Sequence, residues 1–284
     1  MKAKAVWELL RLEHGFMYGV GVVIGVFVST GIDFSLQNLI LGILTAIFLQ
    51  ASAFALNDYF DYEVDLANKR YDRPLIRGEL SRNTAFLFFA LLAPVGFLTA
   101  VMISIEAFLF AFAVTVAGFL YDIRLKEFGF AGNVYIAFSM AAPFIFGSVV
   151  ATKTVVPSAA LLSLLAFLSG IGREIMKGIE DVEGDAIRDV KTVARVRGVE
   201  IAARLSAIMF VLSVFLSFLP PLLLAEYFLD LKYIVPVAAT DVLLILVSLN
   251  LLKGRFERSL IREYRKKTLL AMAFGLAGFF GGVF

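Results

Sequence analysis

"LQASAFALNDYFDYEVDLANKRYDRP", residues 49–74, runs from an apolar stretch into Asn57, Asp58, Asp61 and Asp65, and then into Lys69, Arg70 and Arg73. On a helix turning about 100° per residue, the four acidic-motif positions fall at about 0°, 100°, 40° and 80°, so they share one face. A carboxylate drawn to the bilayer centre costs about 2.5–3.5 kcal/mol. Aspartates at the mouth of a membrane helix therefore require a cation, and its identity sets the function.

The apolar run belongs to a membrane protein. Hydrophobic residues make up 60% of the 284, above the roughly 45–50% of soluble domains. Nine segments reach or approach the roughly 20 apolar residues of a spanning helix: 14–32, 36–57, 84–104, 107–121, 130–151, 157–175, 201–225, 232–252 and 268–284. Pro220 and Pro221 are expected to kink the seventh or end it early. The expected fold is all-α: one polytopic domain over 1–284, nine transmembrane helices around a central cavity, with a cytoplasmic N-terminus. Charge supports this topology, because it places all but Lys153 and Lys232 of the 26 Lys and Arg on the cytoplasmic face. Lys2, Lys4 and Arg11 precede the first run as in a signal peptide, but no small-residue cleavage site follows, so the run reads as a retained helix.

Composition also narrows the chemistry. A net charge of +2 gives no argument for nucleic acid, and the lack of cysteine excludes disulfides and thiolate metal sites. The single histidine, His14, excludes a multi-histidine site.

A second acidic stretch, "GREIMKGIEDVEGD" (172–185), sets Asp181 and Asp185 about 40° apart on a stripe shared with Arg173 and Lys177. Asp61 and Asp65 thus recur 120 residues later as Asp181 and Asp185, and Arg77-Gly78 recurs as Arg197-Gly198, a faint internal repeat. In the expected topology both acid-bearing helices run from outside to inside, so their acidic ends reach one face and can line one cavity. Five carboxylates there would repel one another. Mg2+ fits best: it takes one or two carboxylates and fills its octahedron with water and phosphate oxygens. Two such sites could grip a pyrophosphate from both sides, with Arg and Lys on its outer oxygens. Solvated, salt-bridged helix ends are the bland alternative, and two matched clusters on helices of equal polarity weigh against it.

"NDYFDYEVD" resembles the N-D-x-x-D-x-x-x-D signature of the UbiA superfamily of intramembrane prenyltransferases, and "EDVEGD" resembles its second aspartate motif. The "DRP" at 72–74, "YDIRLKEFGFAGN" (121–133) and "LLRLEH" (9–14) resemble lesser family segments. The resemblance covers essentially the whole chain. It implies Mg2+-dependent transfer of a prenyl group from a prenyl pyrophosphate to a lipophilic acceptor, with pyrophosphate released. It assigns Asn57, Asp58, Asp61, Asp65, Asp181 and Asp185 to the catalytic site, the five aspartates as metal ligands. Arg11, Arg73, Arg77, Tyr121, Lys126 and Lys177 become substrate-binding candidates. "GREIMKGIEDVEGD" looks most like the archaeal branch that makes digeranylgeranylglyceryl phosphate, which implies a geranylgeranyl donor and the hydroxyl of geranylgeranylglyceryl phosphate as acceptor. Gly178, where that branch leads one to expect aspartate, and "LIRG" (75–78) depart from its pattern.

Two rival readings share these residues. An aromatic prenyltransferase of quinone or haem biosynthesis would differ only in its acceptor pocket. A cation-coupled secondary transporter would use the same carboxylates, although transporters set their sites near the midplane. Three further features stand outside the motifs. Asp241 lies near the middle of a span, Gly19, Gly21 and Gly25 suit close helix packing, and the basic run 253–267 suits anionic headgroups. Tyr121 and Tyr135 are better candidates than any phenylalanine for facing a cation.

Overall fold

The expected apolar segments fold as helices in a computed structural model that describes residues 3–124, 128–180, 182 and 190–284. The helices are α1 (Ala3–Leu10), α2 (Leu12–Thr30), α3 (Leu36–Ala67), α4 (Arg82–Ile103), α5 (Ile105–Ile123), α6 (Phe130–Thr152) and α7 (Pro157–Glu180). They continue as α8 (Val193–Arg197), α9 (Val199–Leu216), α10 (Leu219–Leu223), α11 (Leu231–Leu252) and α12 (Arg258–Gly282). No strand occurs among the described residues. Eight described segments are long and apolar enough to cross a bilayer, with α9 and α10 counted together. The ninth expected span, 268–284, forms most of α12, whose first turns are strongly basic.

Local chemistry sets the ends. Ser35, Ser81 and Ser104 cap α3, α4 and α5 by accepting from the backbone N–H three residues on. α9 stops at Leu216, and α10 restarts with Pro220 and Pro221 in its first turn, where a missing N–H costs nothing. The main surprise is the length of α3, whose 32 residues carry the helix ten residues beyond the expected apolar run. The first acidic motif is therefore helical throughout.

Neighbours in sequence pack as neighbours in space, and contacts of α12 with α2 and α7 close the helices into a ring. Large apolar side chains such as Leu87, Leu91, Leu98, Phe215 and Leu222 cover the outside, as a lipid solvent requires. Between helices the packing relies on small residues. A Cβ on Gly147 of α6 would stand 2.8 Å from Gly25 Cα and 2.9 Å from Val26 N of α2, and one on Gly21 would stand 2.8 Å from Pro143 Cβ. Gly21 and Gly25 thus serve the close packing expected of them, whereas Gly19 faces Ile43 of α3.

Candidate active site

The ring encloses a cavity of about 770 Å³, within the usual range for ligand sites, roughly 300–1,000 Å³. Most of its wall is apolar. Its polar end gathers Arg11 from the junction of α1 and α2, Asn57 and Asp61 from α3, Arg73 from the loop after α3, Tyr121 and Asp122 from α5, and Glu174 and Lys177 from α7. α3 and α7 both line this space.

The expected four-residue acidic face is split. Asn57 and Asp61, at about 0° and 40° on the helix, line the cavity, whereas Asp58 and Asp65, at about 100° and 80°, turn away from it. Asp58 is 3% exposed and accepts from Arg11 Nη2 at 2.8 Å and Arg73 Nη1 at 3.1 Å. Asp65 is also buried, with Arg73 Nε 3.7 Å from its carboxylate. Asp58 and Asp65 hold Arg11 and Arg73, two of the arginines that reach the cavity. The cause is rotational: an offset of about 40–100° on one helix separates a cavity-facing group from one facing the neighbouring loop.

Backbone geometry serves the same arrangement. Arg11 takes φ 45° between α1 and α2, a left-handed conformation costing about 1–3 kcal/mol for a non-glycine residue. Its ion pair with Asp58 and the stacking of its guanidinium 4.1 Å from the Phe54 ring centroid offset that cost. Loop 68–81 is tied down from beneath by Leu75 and Leu80, buried against Ala5, Leu9 and Leu10. Its Asp72 carboxyl is held below the usual carboxylate range by the Arg70 guanidinium.

Asn57 joins two helices. Its amide donates to Asp61 Oδ2 at 3.2 Å and to Asp122 Oδ1 of α5 at 2.7 Å. Asp122 is a buried carboxylate that the motif reading passed over, and its signal was a lone acid beside Tyr121 at the end of an apolar run. Glu174 was missed in the same way. It is buried and accepts from Lys177 Nζ at 2.7 Å and Arg173 Nη1 at 3.3 Å. Tyr121 stacks on Tyr135 with centroids 5.2 Å apart, within electrostatic reach of Glu174, Asp122 and Asp61.

Not every candidate converges. Arg77 does not line the cavity. Its guanidinium binds Glu8 of α1, Glu79, and the carbonyls of Tyr71 and Asp72, and so braces the loop against α1. Gly178 is buried against Thr192, so the departure at that position does not alter the cavity wall. Asp241 lines the cavity away from the acidic cluster and accepts from Ser217 Oγ at 2.7 Å. Lys126, Asp181 and Asp185 lie outside the described residues.

The described donor set suits a hard cation. Among the described residues no three metal-binding side chains group closely enough to hold an ion by themselves, but Mg2+ needs only one or two carboxylates plus water and phosphate oxygens. Asp61 and Asp122 supply carboxylate oxygens at the cavity.

Membrane helices closed around an apolar cavity with an acid-and-arginine end define an intramembrane prenyltransferase, and the chain belongs to the UbiA prenyltransferase family, whose model matches residues 19–280. It is 61% identical to the digeranylgeranylglyceryl phosphate synthase of Archaeoglobus fulgidus over 281 residues, 99% of this chain and 96% of that protein. It is 36% identical to the synthase of the same name from Thermococcus kodakarensis, over 78% of each chain. A structure solved for work on digeranylgeranylglyceryl phosphate synthase in membranes superposes with a TM-score of 0.79 at 28% identity, covering 99% of this chain and 98% of the other. A UbiA homologue from A. fulgidus bound to GPP and Mg2+ shares the fold, with a TM-score of 0.67 at 21% identity over 97% and 99% of the two chains. Membership of an enzyme family removes the transporter reading.

Proposed function

We propose that this chain transfers a geranylgeranyl group from geranylgeranyl pyrophosphate to the free hydroxyl of geranylgeranylglyceryl phosphate, with Mg2+ required, acting as a single domain whose cavity opens on the cytoplasmic face. One observation carries this reading: a single cavity joins a cluster of arginines and carboxylates to an apolar chamber large enough for a lipid chain. The sequence relatives of the preceding section support the choice of acceptor.

Asp61 and Asp122 would hold Mg2+, with Asp181 and Asp185 of the second motif completing the site. When bound, the ion acts as a Lewis acid toward the pyrophosphate oxygens. Arg11 and Arg73 donate to the same leaving group and stabilise its growing charge. Their orientation is set beforehand by Asp58 and Asp65. Asn57 keeps Asp61 and Asp122 aligned. As the donor's C1–O bond breaks, the bonding pair leaves with pyrophosphate and positive charge develops on the allylic carbon. The stacked Tyr121 and Tyr135 rings offer π-faces to that charge, and the apolar wall excludes the water that would quench it. The acceptor oxygen then bonds to C1 and loses its proton to an oxygen of the released pyrophosphate, giving the ether. Lys126 remains a candidate for the pyrophosphate.

The test is incubation of purified protein with radiolabelled geranylgeranyl pyrophosphate and separate acceptors. Product is expected with geranylgeranylglyceryl phosphate. Product with a hydroxybenzoate or naphthoate and none with the glyceryl phosphate would overturn the assignment in favour of the aromatic reading.

A further inference from the structure

The polar end of the cavity has two basic walls in different electrostatic states. On the α2–α3 side, Arg11 and Arg73 are both bound to the buried Asp58, and Arg73 also faces Asp65. On the α7 side, Arg173 and Lys177 share one carboxylate, Glu174. Arg173 keeps only 15% of its side-chain exposure, and its Nε is buried with no hydrogen-bond partner among the described residues. His14, also on the cavity wall, lies within electrostatic reach of both Arg11 and Arg173. Two cations against one anion, one of them with an idle buried N–H, leave this wall short of one anionic acceptor among the described residues.

We infer that Arg173 and Lys177 form a phosphate pocket for the headgroup of the acceptor, separate from the pyrophosphate pocket of Arg11 and Arg73. This inference rests on the acceptor proposed above. A guanidinium and an ammonium one helical turn apart suit the several acceptor oxygens of a phosphate monoester. Glu174 binds both cations, and Tyr121 lies within electrostatic reach of both Glu174 and the Asp61–Asp122 pair. A phosphate held here is bound by cations other than the two that take the leaving group. The α7 wall then selects acceptors that carry a phosphate.

The experiment compares geranylgeranylglyceryl phosphate with its dephosphorylated counterpart, geranylgeranylglycerol, at saturating donor, in the wild type, Arg173→Gln and Lys177→Gln. The expected result is a wild-type preference for the phosphorylated acceptor that shrinks roughly ten- to hundredfold in each variant, the range set by loss of one charge-assisted hydrogen bond. Donor KM stays within about twofold. A raised donor KM with the preference intact would assign these cations to the pyrophosphate and overturn the inference. Should Arg173→Gln fail to fold, Lys177→Gln and a wild-type measurement decide. Glycerol phosphate should inhibit competitively against the acceptor, and competition against the donor alone would contradict the pocket. If the wild type makes no product from the phosphorylated acceptor, the acceptor assignment itself fails, and this inference falls with it.

Discussion

Asp58→Asn tests the claim that Asp58 holds arginines rather than reacting groups. The substitution keeps shape and removes charge from a side chain 2% exposed, leaving Arg11 and Arg73 facing a neutral amide. Removing one partner of a buried ion pair costs about 3–5 kcal/mol. The two guanidinium side chains retain 16% and 20% exposure, and that water contact brings the estimate to the lower end, about 3 kcal/mol. At about 2–4 °C per kcal/mol for a protein of this order of size, the midpoint of thermal unfolding should fall by about 6–12 °C. Donor KM should rise about tenfold or more, because Arg11 and Arg73 lose their preset orientation and with it a charge-assisted hydrogen bond worth about 1.5–3 kcal/mol. Thermal unfolding in detergent and steady-state kinetics read both effects. Arg11→Gln in the Asp58→Asn background should add little further loss, since the two groups act as one unit. A variant with parental unfolding temperature and donor KM would refute the arrangement.

Other outcomes follow from the same geometry. Asp61→Ala and Asp181→Ala should each abolish turnover while unfolding near the parental temperature; near-normal rates in both at saturating Mg2+ would remove the metal assignment. Chelation with EDTA should stop product formation and added Mg2+ should restore it, whereas unchanged rates in EDTA would exclude a divalent requirement. Gly147→Ala should destabilise by about 1–3 kcal/mol, the usual cost of overpacking, because its Cβ would lie 2.8 Å from Gly25 Cα. An unchanged unfolding temperature there would show that α2 and α6 can separate freely.

Much of this was legible in the sequence because bilayer physics leaves few choices. Apolar runs had to be helices, and Pro220 and Pro221 had to interrupt one of them. The acidic motif lay on one helix face as its spacing required. The sequence could not show which edge of that face meets the cavity, because the helix rotation is fixed by partners distant in the chain: Arg11 is 47 residues from Asp58. Arg77 belonged by position to the basic cluster, yet Glu8, 69 residues away, takes its guanidinium. Asp122 and Glu174 were hidden for a different reason. A single carboxylate at the end of an apolar helix carries no pattern, and only the Asn57 amide and the Lys177 ammonium reveal them as site residues.

The most direct measurement is an experimental structure of the protein with Mg2+ and an unreactive thio-analogue of geranylgeranyl pyrophosphate. One pyrophosphate should lie between α3 and the end of α7, with Asp61 on one side and Asp181 or Asp185 on the other, each about 2.0–2.1 Å from Mg2+. A pyrophosphate whose metal ions contact only one of the two acidic motifs would contradict the account.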